Sequence, residues 1–413
     1  MSSEKYTHVE SYKYPFEGMI FEGGGSLGVA HVGGLQVFKE LGILKNVKYF
    51  VGSSAGAIIA GALGCGADPM MLYDILFETN FNDFKDDSFG VVRDMNRFIN
   101  HFGWYKGDAL ESWYGDALDK ICGNRMITFK EAYERFGTYL VITVTDVNLG
   151  KTIYLSHENN PDMMIKRAVR RSSIMPLLFR ADHEQMMTNI FKDDDVHQEM
   201  VRHYFTDGGL LNNYPIKELD GLLRHDHVVG FRLMSTLQLA DVRIPDLQHT
   251  PDPPKNVIEY IHLLYSMLRN QALKIHVDDK DWKRTVKIDV KNMSSTDFGI
   301  NNVDKKFLID QGRKAAKEFI KDFLKERGLD IGSKDKLPEF SESGLEINLA
   351  DIECNLKSKS RRRRSMKTVT ELTSRRSSQP TASGRSSQPG SRRSSQSNES
   401  RSIRSKRRSL TNT

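Results

Sequence analysis

The sequence predicts an α/β fold with a largely parallel central sheet, followed by a basic tail too poor in apolar residues to form a core. Three observations carry that prediction. Short apolar runs alternate with apolar residues at helical spacing through the first 327 residues. The first two runs each break at a glycine-rich turn that opens a helix, the pattern of β-α-β units. Charge and apolar content then change abruptly near residue 356.

Residues 18–22 read as the first strand, which stops at Gly23-Gly24-Gly25. Val29, Val32, Leu35, Val37, Phe38 and Leu41 fall at helical spacing, and Gly42 ends that helix. Residues 46–51 form the second strand, and after the Gly52-Ser53-Ser54 turn an Ala/Ile-rich helix runs to about Leu63. Helices follow over 68–79, 107–122 and 128–136. Residues 139–145 (Tyr-Leu-Val-Ile-Thr-Val-Thr) are a buried strand by composition, with 151–156 as hairpin partner across the turn at 148–151. A helix at 163–171 precedes a polar stretch, 182–203, which contains Asp193, Asp194 and Asp195 and reads as an excursion from the core. Strands at 203–206 and 228–233, a helix over 257–273, a strand at 285–290 and an amphipathic helix at 304–327 complete the folded part.

The 413 residues carry 60 Lys+Arg against 54 Asp+Glu, a net charge of +6 that hides a split. Residues 356–413 hold 17 basic and two acidic residues, a net +15, and residues 1–355 a net −9. The tail has only seven apolar residues, and it repeats Arg-Ser-Ser-Gln at 376–379, 385–388 and 393–396. These shifts divide the chain into an N-terminal extension (1–15), a folded domain (16–327), an acid-rich linker (328–355) and the tail (356–413). Cys65, Cys122 and Cys354 are too few and too scattered for a disulfide framework or a zinc finger. The N-terminus lacks the apolar segment of a secretory signal, and 55–67 falls short of the ~20 residues a spanning helix needs. The expectation is an intracellular, cytoplasmic protein whose contact with membranes is peripheral.

Two glycine turns could carry chemistry. Gly52-Ser53-Ser54-Ala55-Gly56 fits the G-x-S-x-G nucleophile elbow, in which glycines two residues either side of the serine permit a sharp strand-to-helix turn. Such a turn lifts the serine oxygen to a helix N-terminus, where negative charge is favoured. The same five residues also suit a plain tight turn. Gly23-x-Gly25-x-x-Gly28 matches the dinucleotide fingerprint, but no acid stands at the end of the second strand to take a ribose. Its glycines equally suit an oxyanion loop, or a turn that only packs a helix closely. None of the 12 histidines stands in a setting that marks it as a base; His31, His157 and His203 read as structural or solvated. Asp207-Gly208-Gly209, after a strand, offers an acid on a tight turn, although an isolated Asp-Gly-Gly is usually a turn and no more.

Together, Gly23-Gly24-Gly25-Ser26-Leu27-Gly28, Gly52-x-Ser54-x-Gly56 and Asp207-Gly208-Gly209 resemble the patatin-like phospholipase family. Thr128-Phe-Lys-Glu-Ala132 with the strand at 140–145 and Asp146-Val-Asn-Leu-Gly150, and Ala168 to Phe179 around Pro176, agree in order and spacing. Phe298-Gly-Ile-Asn301 and Leu308 to Gly312 resemble the late segment of bacterial and viral-type members. The resemblance spans about residues 16–323 and implies a three-layer α/β/α fold. It also implies a Ser–Asp dyad with Ser54 as nucleophile and Asp207 as base, with no histidine, metal or other cofactor. Backbone N–H groups around Gly24, Gly25 and Ser26, in the loop from Gly23 to Gly28, would form the oxyanion hole. The implied reaction is ester hydrolysis of phospholipids or other lipids through an acyl-enzyme. A catalytically silent lipid-binding or scaffold protein on the same fold is the alternative, and a nucleotide-binding protein a distant one. Leu27 departs from the Arg or Lys of many members, which removes a charge contact with a lipid phosphate.

The tail lies outside the resemblance. Its +15 charge suits tethering to an anionic membrane or other polyanion, each Lys/Arg near an anionic leaflet contributing about 1 kcal/mol, with a partner protein or a plain soluble linker as the alternatives. It has no aromatic residue on which a base could stack, so no specific nucleic-acid reader is evident. The Arg-Arg-x-Ser patterns ending at Ser378 and Ser395 resemble sites for basophilic kinases, whose phosphates would weaken the tether.

Overall fold

A computed structural model of the chain describes residues 12–86, 91–192, 195–243, 254 and 257–329. The strands are β1 (Gly18–Phe21), β2 (Tyr49–Ser53), β3 (Gly103–Tyr105), β4 (Tyr139–Asp146), β5 (Lys151–Leu155), β6 (Leu177–Phe179), β7 (Asp182–Lys192), β8 (Asp195–Asp207), β9 (Val228–Met234) and β10 (Thr285–Asp289). The helices are α1 (Ala30–Glu40), α2 (Ala55–Gly64), α3 (Pro69–Glu78), α4 (Val91–His101), α5 (Asp108–Cys122), α6 (Phe129–Phe136), α7 (Ile165–Ser173), α8 (Gly209–Asn212), α9 (Thr236–Arg243), α10 (Val257–His276) and α11 (Asn302–Glu326). No described helix is long and apolar enough to cross a membrane.

Local chemistry fixes many of these boundaries. Asp68 caps α3 through Met70 N at 2.8 Å, with Pro69 in the first turn. Thr128 with Glu131, and Asn301 with Asp304, form capping boxes that start α6 and α11. Left-handed glycines follow α5 and α6, at Gly123 and Gly137.

Five strands run parallel in the order β10-β9-β1-β2-β4, and β5, β8 and β7, joined through antiparallel pairings, complete an eight-stranded sheet. Successive residues alternate between its faces. Met19, Phe21, Phe50, Leu140, Ile142 and Val144 enter the larger core, which α1, α2, α5 and α11 cover. Ile20, Val51 and Val141 enter a smaller one, closed by Tyr214, Ile216, Leu219 and Leu273 of α10. Helices on both faces of a mixed sheet make the α/β/α arrangement.

Residues 182–203 leave the core as a regular hairpin. β7 and β8 pair without interruption from Asp182↔Phe205 to Lys192↔Asp195. Most of that hairpin is exposed on both faces, so neither face needs an apolar alternation, and polarity alone resembles a loop. Asp195 opens β8; Asp193 and Asp194 lie outside the described residues. Strands β3 and β6, which pair with each other, and helices α4 and α9 are further elements the sequence reading did not anticipate. Most of the N-terminal extension, the linker beyond Leu329 and the whole tail, with Ser378 and Ser395, lie outside the described residues.

Candidate active site

The site arises from how β4 shares its edges. β5 lies along Ile142–Asp146 on one side. On the other, β2 runs parallel to Tyr139–Thr143 and β8 antiparallel to Val144–Asp146. The two strands therefore approach from opposite directions and stop at neighbours: Ser53 pairs with Thr143, and Asp207 with Val144. The next residue after Ser53 meets Asp207 head-on. Ser54 Oγ donates to Asp207 Oδ2 at 2.8 Å.

Ser54 is held at φ 52°, ψ −122°, a conformation that costs a non-glycine residue about 1–3 kcal/mol. Its surroundings hold it there. Ser54 N donates to Ser172 Oγ at 2.9 Å, and Ser172 Oγ donates in turn to the Thr143 carbonyl at 2.6 Å. Gly52 and Gly56 face each other inside the turn, where a methyl group on Gly52 would stand 2.2 Å from Gly56 O. α2 begins at Ala55, so the Ser54 hydroxyl sits at a helix N-terminus. Ser54 keeps 8% exposure and Asp207 only 1%.

Asp207 is fixed from several sides. Gly209 N donates to Oδ1 at 2.6 Å, at the start of the short α8, and the Tyr265 hydroxyl of α10 also donates to the carboxylate. Its backbone is tied by Asp207 N to Ile174 O at 3.0 Å and by Thr145 Oγ1 to Asp207 O at 2.9 Å. Gly208 N donates to Ser172 O at 3.1 Å. Burial pushes the carboxyl up to about 6, against the opposing pull of Gly209 N–H, the Ser54 hydroxyl, the Arg269 charge and the Tyr265 hydroxyl. Burial beside that carboxylate drives the Tyr265 phenol well above its ordinary range.

The glycine loop lies against this pair. A methyl on Gly23 would stand 2.9 Å from Ser54 Cβ, and one on Gly28 2.7 Å from Ala55 Cβ. Gly25 has φ 54° and opens a 3-10 turn through Val29. Three of its N–H groups are already engaged: Gly23 N with Asn213 O at 3.1 Å, Ser26 N with Ser295 O at 3.3 Å and Leu27 N with Gly24 O at 3.1 Å. Among the described residues, Gly24 and Gly25 N–H form no hydrogen bond. The donors this loop offers thus narrow from the expected Gly24, Gly25 and Ser26 to Gly24 and Gly25. Asn213 anchors the loop from behind, donating from Nδ2 to Gly23 O at 3.0 Å and to Glu22 Oε1 at 3.1 Å. Glu22, whose carboxyl burial raises, also accepts from Leu233 N at 2.7 Å and lies 3.7 Å from Arg232.

The histidines are placed elsewhere. His31 is buried in α1, its Nε2 at 2.9 Å from Glu22 O, and burial lowers it to about 4. His203 lies between Asp146 and Thr188, at 2.6 Å from each. His157 stacks on Tyr133 with ring centroids 3.9 Å apart. None of the three hydrogen-bonds to Ser54 or Asp207. Leu27 is buried in the larger core, so the position that departs from the family pattern contributes packing here. Ser172, Asn213, Tyr265 and Arg269 are the site's unanticipated members. Ser172 lies in the Ala168–Phe179 stretch that agrees with the family, and Asn213 lies four residues past Gly209, just before Tyr214-Pro215.

Residues 19–220 match the family model described as patatin-like phospholipase. The chain is 30% identical over 223 residues to triacylglycerol lipase 4 of Saccharomyces cerevisiae, covering 51% of this chain and 23% of that protein. It is 26% identical over 304 residues to protein R571 of Acanthamoeba polyphaga mimivirus, covering 73% of this chain and 93% of that one. Protein YqhO of Bacillus subtilis is 26% identical over 313 residues, with 73% and 97% covered. The match thus spans about a quarter of the yeast lipase and nearly all of the viral and bacterial relatives. Residues 19–220 thus form a patatin-like phospholipase domain.

Proposed function

We infer that the chain is a lipid acyl hydrolase that works through Ser54 and Asp207 alone. The observation that carries this reading is the 2.8 Å bond from the Ser54 hydroxyl to a buried carboxylate poised at about 6. In the acylation step, Ser54 Oγ attacks the ester carbonyl carbon while its proton passes to Asp207 Oδ2. The carbonyl oxygen becomes an oxyanion, for which Gly24 and Gly25 N–H are the free donors of the loop. Collapse breaks the bond to the leaving alkoxide, which takes the proton from Asp207. Water then attacks the acyl-enzyme, gives a proton to Asp207 and releases the fatty acid, and Ser54 recovers its proton. A base near 6 is ionised at neutral pH yet still basic enough to accept the serine proton in the transition state.

The substrate class follows from the family and from the lipases among its relatives. On this reading the enzyme is cytoplasmic and visits membranes peripherally, its basic tail adding attraction to anionic surfaces and its Ser378 and Ser395 serving as kinase sites. A fluorophosphonate probe tests the core of the proposal, because it labels only an activated serine. Labelling mapped to Ser54 is expected; an unlabelled Ser54 in folded protein would favour the silent lipid-binding alternative.

A further inference from the structure

α10 is built with its apolar side outward. Tyr260, Leu264, Met267, Leu268 and Ile275 are 52%, 38%, 51%, 52% and 76% exposed. At 100° per residue they share one arc about 100° wide, interrupted only by the exposed Gln271. The opposite side of the same helix faces the protein. Leu273 is buried in the smaller core, Tyr265 donates to Asp207, and the Arg269 charge acts on both Asp207 and Glu22. A surface helix ordinarily presents the reverse pattern, and a contiguous exposed apolar stripe marks an interaction surface.

We propose that this stripe seats the protein on the surface of aggregated lipid, so that one helix contacts the lipid on one face and Asp207 on the other. The proposal rests on the hydrolase reading for its choice of occupant. Anything seated on the stripe lies about one helix diameter, 10–12 Å, from the side chains that touch Asp207. A substrate held in a lipid aggregate must reach the dyad from such a surface. Charge argues the same way. The folded domain, residues 16–327, carries a net −4, so it gains nothing from an anionic surface, whereas the stripe itself holds no charged residue and suits a neutral one. Tyr260 at the stripe's N-terminal end joins an apolar ring to a polar tip, the combination that suits a lipid headgroup boundary.

The test uses the full-length protein, vesicles of phosphatidylcholine alone and high salt, which removes the attraction of the tail. Met267→Trp should give a blue-shifted emission when vesicles are added. Leu264→Ser combined with Leu268→Ser should weaken co-sedimentation with vesicles at least tenfold, while hydrolysis of a short soluble ester stays within twofold and circular dichroism is unchanged. Equal vesicle binding by the double variant and wild type overturns the proposal. So does a wild-type dimer that the double variant dissociates without loss of vesicle binding, since the stripe would then belong to a second copy. Absence of soluble-ester hydrolysis in the wild type would count against the hydrolase reading and leaves the binding readout to stand by itself.

Discussion

Ser53 and Asp207 pair with adjacent residues of β4, Thr143 and Val144, although they reach that strand from opposite directions. The 2.8 Å bond between Ser54 and Asp207, 153 residues apart in the chain, is a consequence of that register. Both partners sit at strand ends locked by a sheet, and Ser172 ties the two ends together, its Oγ accepting from Ser54 N and its carbonyl oxygen from Gly208 N. Rigid elements of this kind hold a reacting pair more narrowly than loops would.

Removing the hydroxyl should remove the chemistry and little else. Ser54→Ala keeps the backbone bond to Ser172 Oγ and the packing of the turn. Ester hydrolysis should fall by on the order of 10⁴-fold or more. Circular dichroism should match wild type, and thermal unfolding should shift only by the lost bond to Asp207. Activity within tenfold of wild type on a short-chain ester would end the assignment.

Asp207 makes a prediction that depends on pH. Its carboxyl is raised from 3.8 to about 6, so the folded state favours the protonated form. Its contribution to stability is therefore present below pH 4 and lost as pH rises through 6. Asparagine carries no such dependence. Asp207→Asn should thus gain thermal stability relative to wild type between pH 4.5 and pH 8, while losing nearly as much activity as Ser54→Ala. Wild-type activity should itself fall as pH drops through about 6, where the base takes up its proton. A stability difference that is flat with pH would show that Asp207 ionises in the fold as freely as in the unfolded chain.

The legible part of the site was the punctuation. Glycines around Ser54 and after Asp207 mark turns that sequence spacing exposes directly, and the β-branched run of β4 marks the strand between them. What brings the two turns together is the register of β8 on β4, which no local pattern encodes. The β7–β8 hairpin escaped because strands exposed on both faces carry no period-two signature. Ser26 was expected among the oxyanion donors, but its N–H is taken by Ser295, a partner supplied by a distant loop. Tyr265 lies in a helical pattern where an aromatic ring reads as core, so its bond to Asp207 was hidden in the tertiary fold.

Tyr265 should tune the base without taking part in bond making. Its hydroxyl donates to Asp207 and holds the carboxyl lower than burial alone would. Tyr265→Phe keeps the ring and removes that donor. The acid limb of the pH profile for fluorophosphonate labelling should then move to higher pH, with the rate at pH 8.5 within tenfold of wild type. A purely packing role would leave the limb in place, so an unshifted profile counts against the assignment.

The tail should act on surface affinity and leave the chemical step alone. Residues 1–355 carry −9 and residues 356–413 carry +15, so an anionic bilayer repels the first part and attracts the second. With only seven apolar residues, the tail's attraction is almost wholly electrostatic. It should weaken steeply towards physiological salt, where the Debye length shrinks to about 8 Å. A chain ending at Asn355 should hydrolyse a soluble ester at the full-length rate, yet lose both binding to anionic vesicles and activity on them at low salt. Ser378→Asp with Ser395→Asp should move the full-length protein part of the way towards that behaviour, because two added negative charges offset only a fraction of +15. Sedimentation with anionic vesicles at several salt concentrations decides the matter, and equal binding by truncated and full-length chains at low salt would assign the tail to some other partner.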